Sequence, residues 1–187
     1  MREKFIEVYD DIIPKSLSDN IESAILGKVN IPLHYTSNVA YLESDEFHPA
    51  FGDAFFVPEK NILKPYTYPL LEVLYRLGNF TNTIVEGILK CRVFVHLPSP
   101  NPGPDEIHID TLDDHYVCLY YVNDSEGDTI LFEDDKETEI TRVTPKKGRI
   151  VFFEGSIYHC STRPATKTRA ILNFDFQGRK FEKEKEN

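Results

Sequence analysis

Four residues in the second half of the chain have types and spacing that can do chemistry. His108 and Asp110 stand two apart in the run Glu106-Ile107-His108-Ile109-Asp110. In an extended strand residues i and i+2 share a face, so an imidazole and a carboxylate point into the same space while Ile109 turns away. Such a pair serves either as two metal ligands or as a hydrogen-bonded couple on the surface. His159 follows some fifty residues downstream, in Tyr158-His159-Cys160-Ser161. A histidine among apolar strand residues is either a ligand or a core residue with its nitrogens satisfied. Arg169 comes ten residues later, in a strand expected over 168–176. There Ala170, Leu172, Phe174 and Phe176 share a wholly apolar face, which packs on a core. Arg169, Ile171, Asn173 and Asp175 share the other. That mixed face suits a pocket wall, and an ordinary amphipathic surface strand carries the same pattern.

The elements that must position these residues are mostly strands. Residues 88–97 alternate, with Cys91, Val93, Val95 and Leu97 facing one way and Lys90, Arg92, Phe94 and His96 the other. The run Pro98-Ser99-Pro100-Asn101-Pro102-Gly103-Pro104 then breaks the chain. Further strands are expected at 106–110, 115–122, 129–133, 149–153 and 157–160, with turn residues at 123–128 and 144–148. Many short strands with turns and no helices between them predict a sandwich or jelly roll.

The first third reads as partly helical. Residues 16–28 carry Leu17, Ile21, Ala24 and Ile25 at helical spacing, with Ser16-x-x-Asp19 at the capping-box positions. A second helix is expected at 68–77, striped by Leu70, Val73, Leu74 and Leu77 and closed by Gly78. Between them, residues 36–64 show no period. Tyr41, Phe47, Phe51, Phe55 and Phe56 make the segment either a substrate lid or a loop whose aromatics join the core. As a lid, it would offer Asp45, Glu46 and Asp53 to a cationic group of the substrate. The expected organisation is one domain over 1–178. Its helical, lid-like part is 1–83, its β core 84–178, and 179–187 a solvated charged tail.

Composition sets the outer bounds. A chain of 187 residues, 41% of them hydrophobic, buries a core and is not disordered. A formal net charge of −10 repels polyanions, which sets nucleic acid and anionic membranes low among the partners. Only Lys146, Lys147, Arg149, Arg163 and Lys167 form a local basic cluster. No apolar run approaches the ~20 residues of a membrane helix. Three cysteines without a Cys-x-x-Cys read as buried, reduced thiols, and the expected location is cytoplasmic. His34, His48, His96 and His115 read as structural or surface residues, with His96 and Arg92 the pair placed to line a pocket mouth.

Taken together, His-x-Asp, a distal histidine and a following arginine resemble the 2-oxoglutarate- and iron(II)-dependent dioxygenases, and within them the prolyl 4-hydroxylase branch. The resemblance runs from about Lys90 to Phe176. Cys118-Leu119-Tyr120-Tyr121-Val122-Asn123 resembles the branch's strand-to-turn segment, and Gly127-Asp128-Thr129 its glycine turn. Pro145-Lys146-Lys147-Gly148-Arg149-Ile150-Val151-Phe152-Phe153 resembles the segment before its distal histidine. The resemblance implies a double-stranded β-helix, or jelly roll, buttressed by N-terminal helices. It implies His108, Asp110 and His159 as iron(II) ligands, a facial triad with open positions. It implies Arg169 as the grip on the distal carboxylate of 2-oxoglutarate, because a planar guanidinium meets a carboxylate bidentately. Tyr121 and Asn173 fall where relatives place further polar contacts to that carboxylate. Iron(II), 2-oxoglutarate, Asp110 and Arg169 together carry no net charge, which limits the desolvation cost of a buried site.

The implied activity is hydroxylation of a C–H bond with O2, with ascorbate as an auxiliary reductant. The substrate is a peptidyl proline or another protein side chain. The alternatives are a free amino acid or small metabolite, then a nucleic-acid-modifying dioxygenase or a non-catalytic jelly-roll binding module. Two departures stand out. The proline-rich run before His108 is longer than the pattern. Position 175, where the DNA-alkyl-repair branch has a second arginine, is Asp175.

Overall fold

The computed structural model describes residues 4–27, 31–37 and 48–181. In chain order the elements are β1 (Ile6–Tyr9), α1 (Lys15–Leu26), β2 (His34–Thr36), β3 (Ala50–Val57), β4 (Ile62–Leu63) and α2 (Thr67–Thr81). Then follow β5 (Thr83–His96), β6 (Tyr116–Tyr121), β7 (Thr129–Phe132), β8 (Glu139–Val143), β9 (Ile150–Glu154), β10 (Tyr158–Ser161) and β11 (Arg169–Lys180). A major sheet runs β1-β9-β6-β11-β5-β3-β2, with β4 paired to β3, and a minor sheet runs β10-β7-β8. Two antiparallel sheets joined by long crossovers are the jelly roll expected from the strand pattern.

Alternation along the strands sorts the core into two layers. One face of the major sheet packs Cys91, Val93, Cys118, Phe152, Leu172 and Phe174 against Ile21 and Ile25 of α1 and Leu70, Val73, Leu74 and Leu77 of α2. The other face packs Val117, Leu119, Tyr121, Val151, Phe153 and Ile171 against Leu131 and Val143 of the minor sheet. Helices therefore buttress one side and the minor sheet covers the other. The side with the minor sheet is the side that Arg92, His96 and Arg169 face.

Both helices begin or end where local chemistry differs from the expectation. Pro14 starts α1 at φ −54 and ψ 139, and its carbonyl accepts from the amides of Leu17 and Ser18. Ser16 thus lies inside the helix and makes no cap. Asp19 pairs with Lys15 and Lys147 instead. Helix α2 passes through Gly78 and ends at Asn82, which adopts the left-handed conformation (φ 56). Gly78 is needed for close approach, since a Cβ there would stand 2.7 Å from the Thr83 carbonyl oxygen. Gly78→Ala gains helix propensity, yet it should lower stability by about 1–3 kcal/mol through overpacking. Urea unfolding midpoints of the variant and wild type check the sign.

The segment over 36–64 holds a strand paired on both sides, next to the sheet edge, where no period was visible. Strand β3 pairs with β5 and β2, and an irregularity between Ala54 and Phe56 resets its alternation. Phe55 is fully buried against Tyr66 and Phe174. Tyr41, Asp45, Glu46 and Phe47 lie outside the described residues. Strands β1 and β8 also escaped the pattern, and β8 is a largely exposed edge. At the other end β11 continues through Lys180, whose ammonium contacts Glu7 and the ring of Phe5. Arg179 and Lys180 therefore belong to the sheet, and residues 182–187 of the expected tail lie outside the described residues. The three cysteines are buried and unbridged. Among the described residues no helix is long and apolar enough to cross a membrane.

Candidate metal centre and anion pocket

Cross-strand register builds one wall of the site in rungs. His96 of β5 pairs with Arg169 of β11, Phe94 with Ile171, Arg92 with Asn173 and Lys90 with Asp175. Strand β6 adds Tyr121 beside Ile171, Leu119 beside Asn173 and Val117 beside Asp175. The opposite wall comes from the minor sheet and from the chain after the proline-rich run. Between them lies a cavity of about 280 Å³, lined by His108, Asp110 and His159 and by Arg169, Thr129 and His96 among others.

His108 and His159 meet through the backbone. Each donates its amide to the other's carbonyl, at 3.0 and 2.9 Å, in an isolated antiparallel bridge. The expected strand at 106–110 is thus reduced to this single bridge. The proline-rich segment cannot extend it, and its polar groups bond across to residues 161–164 instead. The ligand atoms of His108, Asp110 and His159 lie within 4.8 Å of one another. His108 Nδ1 bonds to the carbonyl of Glu106 and His159 Nδ1 to that of Ile157. Each ring is thereby turned to present Nε2 to the site.

Asp110 is held from three directions. Arg92 Nη2 bonds to its Oδ1, Asn173 Nδ2 donates to Oδ2 at 3.3 Å, and His159 Nε2 lies 3.5 Å from Oδ2. Burial alone would raise its pKa. His159, Arg92 and Lys90 outweigh burial and hold the carboxyl well below the usual range. Burial and the neighbouring His159 lower His108, which keeps it a neutral donor. Burial opposes charge on His159 too, yet Asp110 draws its pKa up. A cation between the two would take the place of that proton. Two neutralisable imidazoles and one ionised carboxylate make a donor set that fits iron(II).

Arg92 is the partner that the sequence placed only at a pocket mouth. Asp175 lies one rung beyond Asn173 on β11, and the guanidinium that holds Asp110 comes from the neighbouring strand β5. Asp175 in turn lies 3.2 Å from Lys90 Nζ and 3.6 Å from Arg92 Nη2. Lys90 Nζ also donates to the carbonyl of Asp110 at 3.3 Å.

At the other end of the cavity Arg169 is 2% exposed. Its Nη2 donates to Thr129 Oγ1 at 3.0 Å, and its Nε has no hydrogen-bond partner. Among the described residues no carboxylate lies within ion-pair distance of it. Burial lowers its pKa, as expected for a charge without a counter-ion. A buried guanidinium with an orphaned donor fits an anion. Gly127 makes room for it. A Cβ at this left-handed position (φ +91) would meet Arg169 Cδ at 2.9 Å.

Thr129 was missed as a site residue, although the Gly127-Asp128-Thr129 turn was visible in the sequence. Its hydroxyl accepts from Tyr121 Oη at 2.7 Å and from Arg169 Nη2. Tyr121 stands behind this pair, fully buried, with Arg169 packed over its ring at 5.6 Å and its hydroxyl shared with the Val143 carbonyl. Asn173 lies at the metal end against Asp110. The structure thus brings His108, Asp110, His159, Arg169 and Asn173 to one cavity, with Tyr121 one layer back.

No family model and no curated protein matches the chain. Solved structures do. An oxidoreductase of the 2OG-Fe(II) oxygenase family from Burkholderia pseudomallei superposes with TM-score 0.68 at 10% identity, over 93% of this chain and 84% of that one. A Trichoplax adhaerens prolyl hydroxylase, solved with a hypoxia-inducible-factor peptide fragment, gives 0.60 at 17%, over 91% and 83%. A non-heme alpha-ketoglutarate-dependent epimerase from nogalamycin biosynthesis gives 0.65 at 10%, over 93% and 78%. The fold is the jelly roll of the 2-oxoglutarate/iron(II) oxygenases. At these identities the likeness is one of fold.

Proposed function

We propose that the protein is an iron(II)- and 2-oxoglutarate-dependent dioxygenase that hydroxylates a C–H bond. One observation carries this reading. A two-histidine, one-carboxylate cluster and a buried arginine with no carboxylate partner among the described residues line the same cavity. Bound iron would supply the activation of O2 coupled to decarboxylation of the co-substrate. The chain's own residues supply geometry. His108, Asp110 and His159 would hold the metal, with Arg92 and Asn173 orienting the Asp110 carboxylate. Arg169 and the Thr129 hydroxyl would seat the distal carboxylate of 2-oxoglutarate. Phe94, Leu119 and Ile171 form the apolar wall between the two ends and keep water from the reacting groups.

For substrate, the cavity size supports a small group presented on a larger carrier, such as a peptidyl proline or another protein side chain. A free amino acid or small metabolite is the alternative. Nucleic acid is disfavoured by charge. Within the basic cluster Lys146 and Arg149 are tied to Asp10, Lys147 to Asp19 and Glu22, and Arg163 to Asp105. Buried free thiols support a cytoplasmic location. Succinate formation from 2-oxoglutarate, measured across peptide and metabolite libraries with iron(II) present, is the test. Substrate-stimulated succinate is expected. Its absence across libraries, with no metal bound, would leave a non-catalytic binding module.

A further inference from the structure

The cavity wall beside Arg169 holds His96, a histidine that the metal centre does not use, and His48 packs behind it. His96 is the cross-strand partner of Arg169, and both line the cavity. Cross-strand side chains of this kind stand about 5 Å apart at Cβ. The ring of His48 stacks on that of His96, with centroids 5.1 Å apart and 28° between planes. His96 Nδ1 and His48 Nε2 are 3.1 Å apart. The remaining nitrogen of His48, Nδ1, lies 2.9 Å from Asp105 Oδ1. Asp105 also accepts from Ser161 Oγ at 3.0 Å and from Arg163 Nε at 2.9 Å. His48 and His96 are 1% and 4% exposed, so water does not compete for these nitrogens.

The partners assign the protons. The Asp105 oxygen 2.9 Å from His48 Nδ1 favours a proton on that nitrogen over a second lone pair, although the contact lacks hydrogen-bond alignment. His48 Nε2 is then the acceptor, and His96 Nδ1 carries the proton between the rings. His96 Nε2 is left as a bare acceptor on the cavity wall, beside a guanidinium. Arg169 faces His96 from β11, and His48 faces it from the segment before β3. Its neighbour on β3 is Ala50, which carries no charge. Asp105 and Arg163 lie beyond His48. Burial, then Arg169 and His48, keeps His96 neutral.

We propose that a dicarboxylate seated on Arg169 draws one proton onto His96, which then donates Nε2–H to that ligand. The proposal rests on Arg169 as the anchor for 2-oxoglutarate. The ligand's negative charge offsets the guanidinium that disfavours a second cation. The Asp105–His48 pair then spreads the new charge toward a fixed carboxylate. No bond other than N–H is made, and the proton comes from solvent. Uptake on binding means that the complex has the higher pKa at this site. Affinity is therefore full below the pKa of His96 in the free protein, falls as pH rises from there to the pKa of the complex, and is flat above it.

Calorimetric titration of Mn(II)-saturated protein with 2-oxoglutarate, in buffers of different ionisation enthalpy, reads the protons directly. Saturating Mn(II) keeps His108 and His159 out of the balance. Between the pKa of free His96 and that of the complex, wild type should take up about one proton per ligand and its Kd should climb about tenfold per pH unit, levelling off above the pKa of the complex. His96→Gln keeps a hydrogen-bond donor, and it should bind with no uptake and a flat pH profile. His48→Gln, which cuts the link to Asp105, should reduce uptake while His96 remains. Binding by wild type with the same enthalpy in every buffer overturns the inference and leaves the Arg169 anchor standing. No binding in any buffer removes the anchor itself.

Discussion

Asp110→Ala will yield a protein that retains no iron(II) and shows no visible charge-transfer band when iron and 2-oxoglutarate are added anaerobically. Asp110 is the only carboxylate in the described cluster, and His159 and His108 alone make a weak neutral site. The loss should exceed the roughly 10–100-fold that removal of an outer partner costs. The substitution also unbalances a buried charge set, because among the described residues Arg92 keeps only Asp175. Breaking a buried pair costs about 3–5 kcal/mol, and the part-exposed Arg92 side chain places this case toward the low end. Asp110→Asn preserves the shape and the contact with Asn173, and serves if the alanine variant does not fold. Metal content after dialysis is the readout. Full metal retention in both variants would place the ion elsewhere.

The second large effect concerns Arg169. Arg169→Met should leave metal binding intact and weaken 2-oxoglutarate by about 2–5 kcal/mol, which is tens to thousands of fold in affinity. Arg169→Lys should recover only part, because a point charge lacks the planar fork. The same Arg169→Met variant should fold at least as stably as wild type. It removes a buried charge that has no ion pair among the described residues, and an apolar chain fills its path beside Tyr121. Anaerobic co-substrate titration gives the first quantity and a urea midpoint the second. Unchanged affinity in both variants would mean that another residue holds the carboxylate. A function residue that costs stability in the resting protein is the expected trade at a binding site.

Sequence legibility followed burial geometry. Strands β5 and β11 are buried on both sides by unlike layers. Apolar side chains face the helices and a mixed row faces the cavity, so alternation showed their faces before their partners were known. Arg169 stood out because it sits on such a strand, and His108, Asp110 and His159 stood out by residue type and spacing alone. Strand β3 hid because small residues and an irregularity near Phe55 erase its period. Helix α2 was cut short because Gly78 reads as a terminator, and only the packed strand start shows that it serves close approach. His48 and Asp105 were not legible as partners of His96. They come from segments far apart in sequence, and only the folded sheet brings them to one line. Thr129 became visible only once the donors of Tyr121 and Arg169 were seen to converge on it.

The reciprocal amide bonds between His108 and His159 also bear on how a metal would be taken up. Joining two points some fifty residues apart costs entropy that rises with the logarithm of the loop length. Here the protein's own backbone meets that cost. An ion would find both imidazoles already side by side, so none of its binding energy is consumed in ordering the chain. A chelator should then strip the ion and leave the fold standing. Zinc fingers behave in the opposite way, since there metal uptake and folding are a single event.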